Sequence, residues 1–249
     1  MGVEPVPGAP AAVADVGAGG PALVVADYHA GLEQSLRRDG VELRDRAAER
    51  REALLSLLDR TGATRLIVLG DLATAIGEPS GDERTELESL LDALPVPVTL
   101  AKGNHDGEIE TVLDRFPDAT VTPAHGTRLG NVGFAHGHTW PAPTVIEAPT
   151  VCVAHEHPMV RLEDEVGGTR AERVWLRGRL DPAPFEDHAG QDCAVDGDLV
   201  VFPAFNDLTG GTWVNVREQG FLAPFLPAGL ADGEAYLLDG TRLGDYRTV

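Results

Sequence analysis

The chain reads Gly103-Asn104-His105-Asp106 between an apolar run, Val96 to Leu100, and a segment of helical spacing, Gly107 to Phe116. A tetrapeptide in that setting stands at the carboxyl end of a strand, where open α/β sheets place their ligands. Its side chains offer a carbonyl oxygen, an imidazole and a carboxylate. Taken alone, Asn-His-Asp is also ordinary turn chemistry. Other segments repeat the arrangement. Asp27-Tyr28-His29 follows Ala22 to Ala26, and Gly70-Asp71 follows Leu66 to Leu69. His136-Gly137-His138 follows Val132 to Ala135, and His155-Glu156-His157 follows Val151 to Ala154. Six of the eight histidines lie in these clusters, so strand ends, not composition, account for where they fall.

Short apolar runs such as Ala22 to Ala26 are the mark of buried strands. Helical spacing predicts a helix over Val41 to Arg60, with Leu43, Ala47, Leu54, Leu57 and Leu58 mostly on one face. Thr61-Gly62 closes it. A second helix runs from Glu83 to Leu94 and stops at Pro95. Gly31 to Gly40 is a loop or a short helix. Strand, helix, strand, helix, strand describes βαβ units and a mainly parallel sheet. After Phe116 the chain is β-rich. Thr127 to Leu129 and Val132 to Ala135 form a hairpin across Gly130-Asn131. Met159 to Leu162 pairs with Arg173 to Arg179. Leu199 to Phe205 and Thr212 to Val216 are further strands, and Tyr236 to Leu238 with Thr241 to Leu243 is a last hairpin. Pro182 to Gly197 reads as an acidic surface loop. Residues 1–20, rich in Ala, Gly and Pro, are an N-terminal extension: a loose hairpin over Val6 to Val16 against a sheet edge, or a disordered stretch. Residues 21–249 form one domain, because no linker divides them and no repeat recurs.

At 249 residues the chain is long enough for a substantial core, and 43% of it is apolar. No run approaches the length of a membrane span. The start has no basic region followed by an apolar core, so no secretory signal is expected and the address is cytoplasmic by default. Cys152 and Cys193 make no disulfide framework, and Cys152 is a small core residue. Forty acidic residues face twenty basic ones, a formal net charge of −20, and Lys102 is the only lysine. Such acidity fits a cationic partner or repulsion of nucleic acid. It fits better a surface adapted to concentrated salt, like that of haloarchaeal proteins, where self-repulsion is screened. Either way, long-range attraction cannot supply much affinity for phosphates.

Asp27, His29, Asp71, Asn104, His136, His155 and His157 supply oxygens and imidazole nitrogens but no thiolates. That mixture suits hard to borderline divalent ions such as Mn²⁺, Fe²⁺, Co²⁺ or Zn²⁺. The donors are too many for one tetrahedral ion and enough for two that share a carboxylate. Two ions about 3.5–4 Å apart can grip one phosphate and activate a water for attack on phosphorus. His105, beside Asn104, would face the leaving group and act as general acid. Asp106 would accept a hydrogen bond from the His105 ring and hold it.

The ordered series Asp-x-His, Gly-Asp, Gly-Asn-His-Asp, His and His-x-His resembles the calcineurin-like metallophosphoesterase superfamily. Its motifs cover Asp27 to His157. The resemblance implies an α/β fold, a two-sheet mixed β-sandwich flanked by helices, with the site at the strand ends. It implies one ion on Asp27, His29, Asp71 and His157, and another on Asp71, Asn104, His136 and His155, with Asp71 bridging. It implies two divalent ions, manganese first, with iron, cobalt, zinc and nickel as alternatives. The activity implied is hydrolysis of a phosphodiester, in nucleic acid or nucleotides, by a metal-bridging hydroxide. Phosphomonoesterase or cyclic-nucleotide activity is the alternative. A scaffold that no longer does chemistry is disfavoured, because such proteins lose ligands and this chain keeps all seven and His105. Val24 to Gly31, His155-Glu156-His157-Pro158 and Phe202-Pro203-Ala204-Phe205-Asn206 are similar to the DNA-ligase-associated phosphoesterases, the PdeM branch, and their archaeal relatives. That likeness implies DNA-repair proteins as partners. Departures from the pattern are Tyr28 where Leu is usual, Ala154 where Gly is usual, and Leu72-Ala73-Thr74 where a Lys-His pair often follows. They leave the hold on substrate phosphates open but remove no ligand.

Arg37 and Arg38, close after the first motif, are candidates for contact with substrate phosphate; ion pairs with Glu33 and Asp39 compete for them. His138 caps a turn, reaches substrate or backs up His136. His125 and His188 read as exposed. Trp140 reads as packing before it reads as a platform for a base. The arginines from Arg44 to Arg51 read as a solvated helix face.

Overall fold

The computed structural model describes residues 2–163, 167–216 and 219–249. The first half builds one sheet. Its strands are β1 (Val3–Pro5), β2 (Ala11–Asp15), β3 (Pro21–Val25), β4 (Arg65–Val68), β5 (Val98–Ala101) and β6 (Ala119–Thr122), side by side in that order. Strands β3 to β6 are parallel, while β1 and β2 form an antiparallel hairpin on the open edge of β3. Helices α1 (Leu32–Arg38), α2 (Ala47–Thr61), α3 (Gly81–Ala93) and α4 (Glu110–Leu113) make the crossovers.

The second half builds the other sheet. It holds β7 (Thr127–Leu129), β8 (Val132–Phe134), β9 (Thr150–Val153), β10 (Met159–Glu163), β11 (Thr169–Leu180), β12 (Asp198–Val201), β13 (Leu230–Leu237) and β14 (Arg242–Asp245). Their order is β14-β13-β11-β12-β9-β8-β7, with β10 paired to β11. Strands β8, β9 and β12 are parallel, and the rest pair antiparallel. Helices α5 (Pro143–Ile146) and α6 (Ala183–Ala189) accompany this sheet.

Strand alternation explains the layering. Side chains of successive residues point to opposite faces. Leu23, Val25, Leu66 and Val68 pack under α2 and α3 with Leu54, Leu58, Leu87 and Leu90. Val24, Ala26, Ile67 and Leu69 face the other way and meet Phe134, Cys152, Trp175 and Phe202 of the second sheet. Val151, Val153 and Val201 form the far side of that sheet with Val145, Ile146 and Phe185. Strands buried on both faces must be apolar throughout, which is why they read as continuous runs. The fold is a mixed α/β sandwich of two sheets flanked by helices.

Four expectations are corrected. Helix α2 starts at Ala47, not Val41. The Asp45 carboxylate accepts from the Ala47 N–H, a local bond that competes with helix, and the Arg46 N–H goes to Glu33. Helix α4 is a single turn within Gly107 to Phe116. Thr212 to Val216 is not a strand: Trp213 alone bridges to Met159, because the chain turns after it, the Val216 N–H closing on Trp213 O, and the Asn215 side chain takes the place of backbone pairing with Arg161. The stretch from Pro182 to Gly197 holds α6, opened by Pro182 and closed by Gly190 in the left-handed region.

Candidate metal centre

Five parallel strands, β3, β4, β5, β8 and β9, end at one rim and deliver the clustered residues there. The turn at each end is tight. Asp27 (φ 53°), His29 (φ 48°), Asp71 (φ 47°), His155 (φ 72°) and His157 (φ 44°) all occupy the left-handed region. Among the described residues only one other non-glycine, Asp232, does so. Side-chain-bearing residues rarely adopt that conformation, and where they do it collects at functional sites.

The side chains converge as two groups. Asp27, His29 and His157 bring one donor atom each to within 4.8 Å of one another, and so do Asp71, His136 and His155. Asp71 Oδ2 lies between them, 3.8 Å from His29 Nε2 and 3.3 Å from His136 Nε2. Asp27 Oδ1 is 3.2 Å from His157 Nε2 and 3.7 Å from His136 Nδ1. The Asn104 side-chain oxygen is 3.1 Å from His136 Nε2. Outer atoms are anchored: His136 Nδ1 donates to Leu69 O at 2.8 Å and His157 Nδ1 to Gly210 O at 2.9 Å. Carbonyls on the far nitrogen set the tautomer and leave Nε2 for a ligand.

Two glycines make the close approach possible. A Cβ on Gly103 would sit 2.2 Å from Asp71 Oδ1, and one on Gly70 would sit 2.4 Å from the His136 ring. The Asp71 backbone N, 2.4 Å from the first, and the buried His136 ring cannot yield.

The donors fit divalent cations. Both ring nitrogens of His29 are buried without a hydrogen-bond partner, and the buried Asp27 carboxylate has no donor beyond the His157 Nε2 at 3.2 Å. A buried carboxylate in that state is costly unless a cation joins it. Burial pulls His29 and His155 down to about 4, so both are neutral imidazoles at neutral pH. Burial also presses on His136, but its bond to Asp71 and the charges of Asp71 and Asp27 outweigh it and lift His136 to about 9. Burial would raise Asp71, yet the hydrogen bond and charge of His136, with His29 and the His105 N–H, hold it well below the usual carboxylate range.

His105 lines the cavity of about 340 Å³ beside these groups. Its backbone N–H donates to Asp71 Oδ1 at 2.9 Å. Its ring is held by a carbonyl, Thr74 O, on Nδ1, and not by Asp106. Asp106 is fully buried and accepts from the Ala73 N–H at 3.1 Å and the Gly103 N–H at 2.8 Å. It therefore shapes the turn that carries Asn104 and His105. Burial, then the Asp71 charge, raises Asp106 to about 6.

Arg37 and Arg38 are not brought to the site. They close α1, exposed, and the Arg37 Nε donates to Leu43 O. At about 1.5 Å of rise per residue, the helix carries them roughly a dozen ångströms beyond His29. His138 stands next to the site, its ring 5.3 Å from His136 and 6.1 Å from His155, with a buried Nδ1 lacking a partner. Trp140 stacks on His188 at 4.1 Å and packs edge-on to Phe185, away from the cavity.

Two residues stood inside quoted motifs without a role. The Asn206 amide donates to Tyr28 O at 3.2 Å and His29 O at 3.4 Å, and its N–H to Asp27 O, so it fastens the first motif from the other sheet. Glu156, between two histidines, is fully buried and accepts from Thr212 Oγ1 and from the Leu222 and Ala223 N–H groups. A charged residue flanked by donors is the only signal in the sequence, and it does not say what the carboxylate binds.

No curated protein sequence matches the chain. Nuclease MPE of Pseudomonas putida has a similar structure, over 97% of this chain and 100% of that one, with a TM-score of 0.57 and 19% identity. YfcE, a phosphoesterase from E. coli, aligns over 90% of this chain and 96% of that one, with a TM-score of 0.42 and 16% identity. Likeness at that identity concerns the fold. The profile of the calcineurin-like phosphoesterase family matches residues 20–192, which takes in every strand end described above. On that match this chain belongs to the calcineurin-like phosphoesterase family.

Proposed function

We propose that the protein is a two-metal phosphodiesterase acting on nucleic acid or nucleotides. The observation that carries this reading is Asp71 Oδ2, a single oxygen within 3.8 Å of His29 Nε2 in one group and 3.3 Å of His136 Nε2 in the other. Asp27, His29, Asp71 and His157 would hold one ion; Asp71, Asn104, His136 and His155 would hold the second, with manganese as the metal. Bound there, two divalent ions supply the positive charge that activates water and stabilises the phosphoryl oxygens. The Thr74 carbonyl takes the His105 Nδ1–H, so His105 would act as the imidazolium, passing the second proton, on Nε2, to the leaving oxygen and returning to the Nδ1–H imidazole. Asp106 acts at one remove, by fixing the turn. The name of the Pseudomonas putida protein, a nuclease, agrees with a phosphodiester substrate. Motif likeness to the DNA-ligase-associated phosphoesterases supports that branch, with DNA-repair proteins as partners and the cytoplasm as compartment.

Mn²⁺-dependent release of p-nitrophenolate from bis-p-nitrophenyl phosphate, compared with the monoester, tests this. The diester should be preferred; turnover of the monoester alone would favour the phosphomonoesterase alternative. His105→Ala should keep its metal and lose about 10²–10⁴ in rate on esters with poor leaving groups, and far less on aryl esters. Equal slowing of both classes would remove the general-acid role.

A further inference from the structure

The cavity beside the metal groups, about 340 Å³, is lined among the described residues by no arginine and no lysine. Its walls are imidazoles, Asp71, Glu156, the Asn104 and Gln219 amides, glycines and Thr212, with one aliphatic side chain, Leu222. A single phosphate fills a small part of that space; cavities of about 300 Å³ and upward suit small organic ligands. The net charge of −20 opposes any polyanion at long range. An uncharged contact can add affinity for the organic part of a phosphorylated molecule, beyond its phosphate on the ions.

Leu222 is placed to make it. It is 60% exposed, where a leucine gains most by being covered. A lone exposed leucine is unremarkable by itself. This one is fixed. Its N–H donates to Glu156 Oε1 at 2.8 Å, and the next N–H, of Ala223, donates to the same oxygen at 2.6 Å. Ala223 and Phe225 are buried behind it. The other Glu156 oxygen takes Thr212 Oγ1 at 2.8 Å, so one carboxylate ties both ends of the described wall. Glu156 also sits between His155 and His157. The backbone that sets the metal ligands thus sets the distance to Leu222.

We infer that Leu222 is an apolar subsite at the metal cavity for the nucleoside of the substrate, and that Glu156 is the residue that positions it. The inference rests on the two-metal phosphodiesterase reading and names the group that flanks its phosphate.

Calorimetric titration of the Mn²⁺-loaded protein with thymidine 5′-monophosphate and with methyl phosphate measures it. The nucleotide should bind at least tenfold tighter. Leu222→Ser should cut that ratio about tenfold, the low end of what one methylene is worth in an apolar pocket, while Leu222→Met should retain it. Glu156→Gln, which swaps an acceptor for a donor, should lower the ratio with two ions still bound per chain. No nucleotide preference in the unaltered protein, or a ratio unmoved by Leu222→Ser, overturns the subsite. Loss of an ion in Glu156→Gln overturns its positioning role. Nucleotide preference without turnover of any diester would leave the subsite standing and bring down the phosphodiesterase reading instead.

Discussion

At the scale of the residue, Asp71 carries the most. Its Oδ1 accepts from the His105 N–H while Oδ2 lies between His29 and His136. Asp71→Asn removes the charge at that midpoint, so both ions should weaken together; calorimetry that finds one site intact would end the bridging assignment. His136 supplies a pH signature. With no ion bound its pKa is raised from 6.5 to about 9, so at neutral pH it carries a proton that a metal ligand cannot keep. Loading with Mn²⁺ at pH 7.5 should release that proton, and titrations in buffers of different ionisation enthalpy would register it. The sign for stability follows. A raised imidazole pKa contributes fully below about 6.5 and is lost as pH climbs through 9. EDTA-treated protein should melt at falling temperature across that window, and a flat profile would count against it. The ligand types were legible in the sequence because donors cluster after strands. The His105 ring partner was not, because a carbonyl such as Thr74 O carries no residue-type signature.

At the scale of the element, the site stands on helices locked by one buried ionic cluster. Arg50 of α2 donates to Glu33 of α1 at 3.0 Å and to Glu86 of α3 at 2.7 Å, and Glu86 takes the Gly31 N–H at 2.8 Å. Gly31 is two residues from His29. The Arg50 guanidinium also lies over the Tyr28 ring, 5.3 Å from its centre. Arg50→Ala strands two buried carboxylates, and urea unfolding should show a loss of about 3–5 kcal/mol. A loss under 1 kcal/mol would mean that water reaches the pair. From sequence these arginines read as a solvated face, since spacing gives the helix but not what leans on it. The late start of α2 has the same origin: a side-chain bond from Asp45 decides it, and helical spacing is blind to such bonds.

At the scale of the molecule, two sheets share one interior, and strand ends from both meet at one rim. No helix among the described residues is long and apolar enough to cross a membrane. Forty acidic residues against twenty basic ones make the folded state repel itself. Salt screens that repulsion, with a Debye length of about 10 Å at 0.1 M and about 3 Å at 1 M. The melting temperature should rise between 0.1 M and 2 M KCl, as differential scanning fluorimetry would show. A flat or falling curve would refute a surface suited to concentrated salt.

Sequence alone determined the strand runs buried on two faces, the order of the motifs and the seven donor types, because such burial and metal chemistry both restrict residue identity. Tertiary structure alone decided the distances from Asp71 to its two groups, that Asp106 serves a turn, that Arg37 and Arg38 stand apart, and that Glu156 holds Leu222. Each of those depends on distances between segments far apart in the chain, and local spacing holds no record of them.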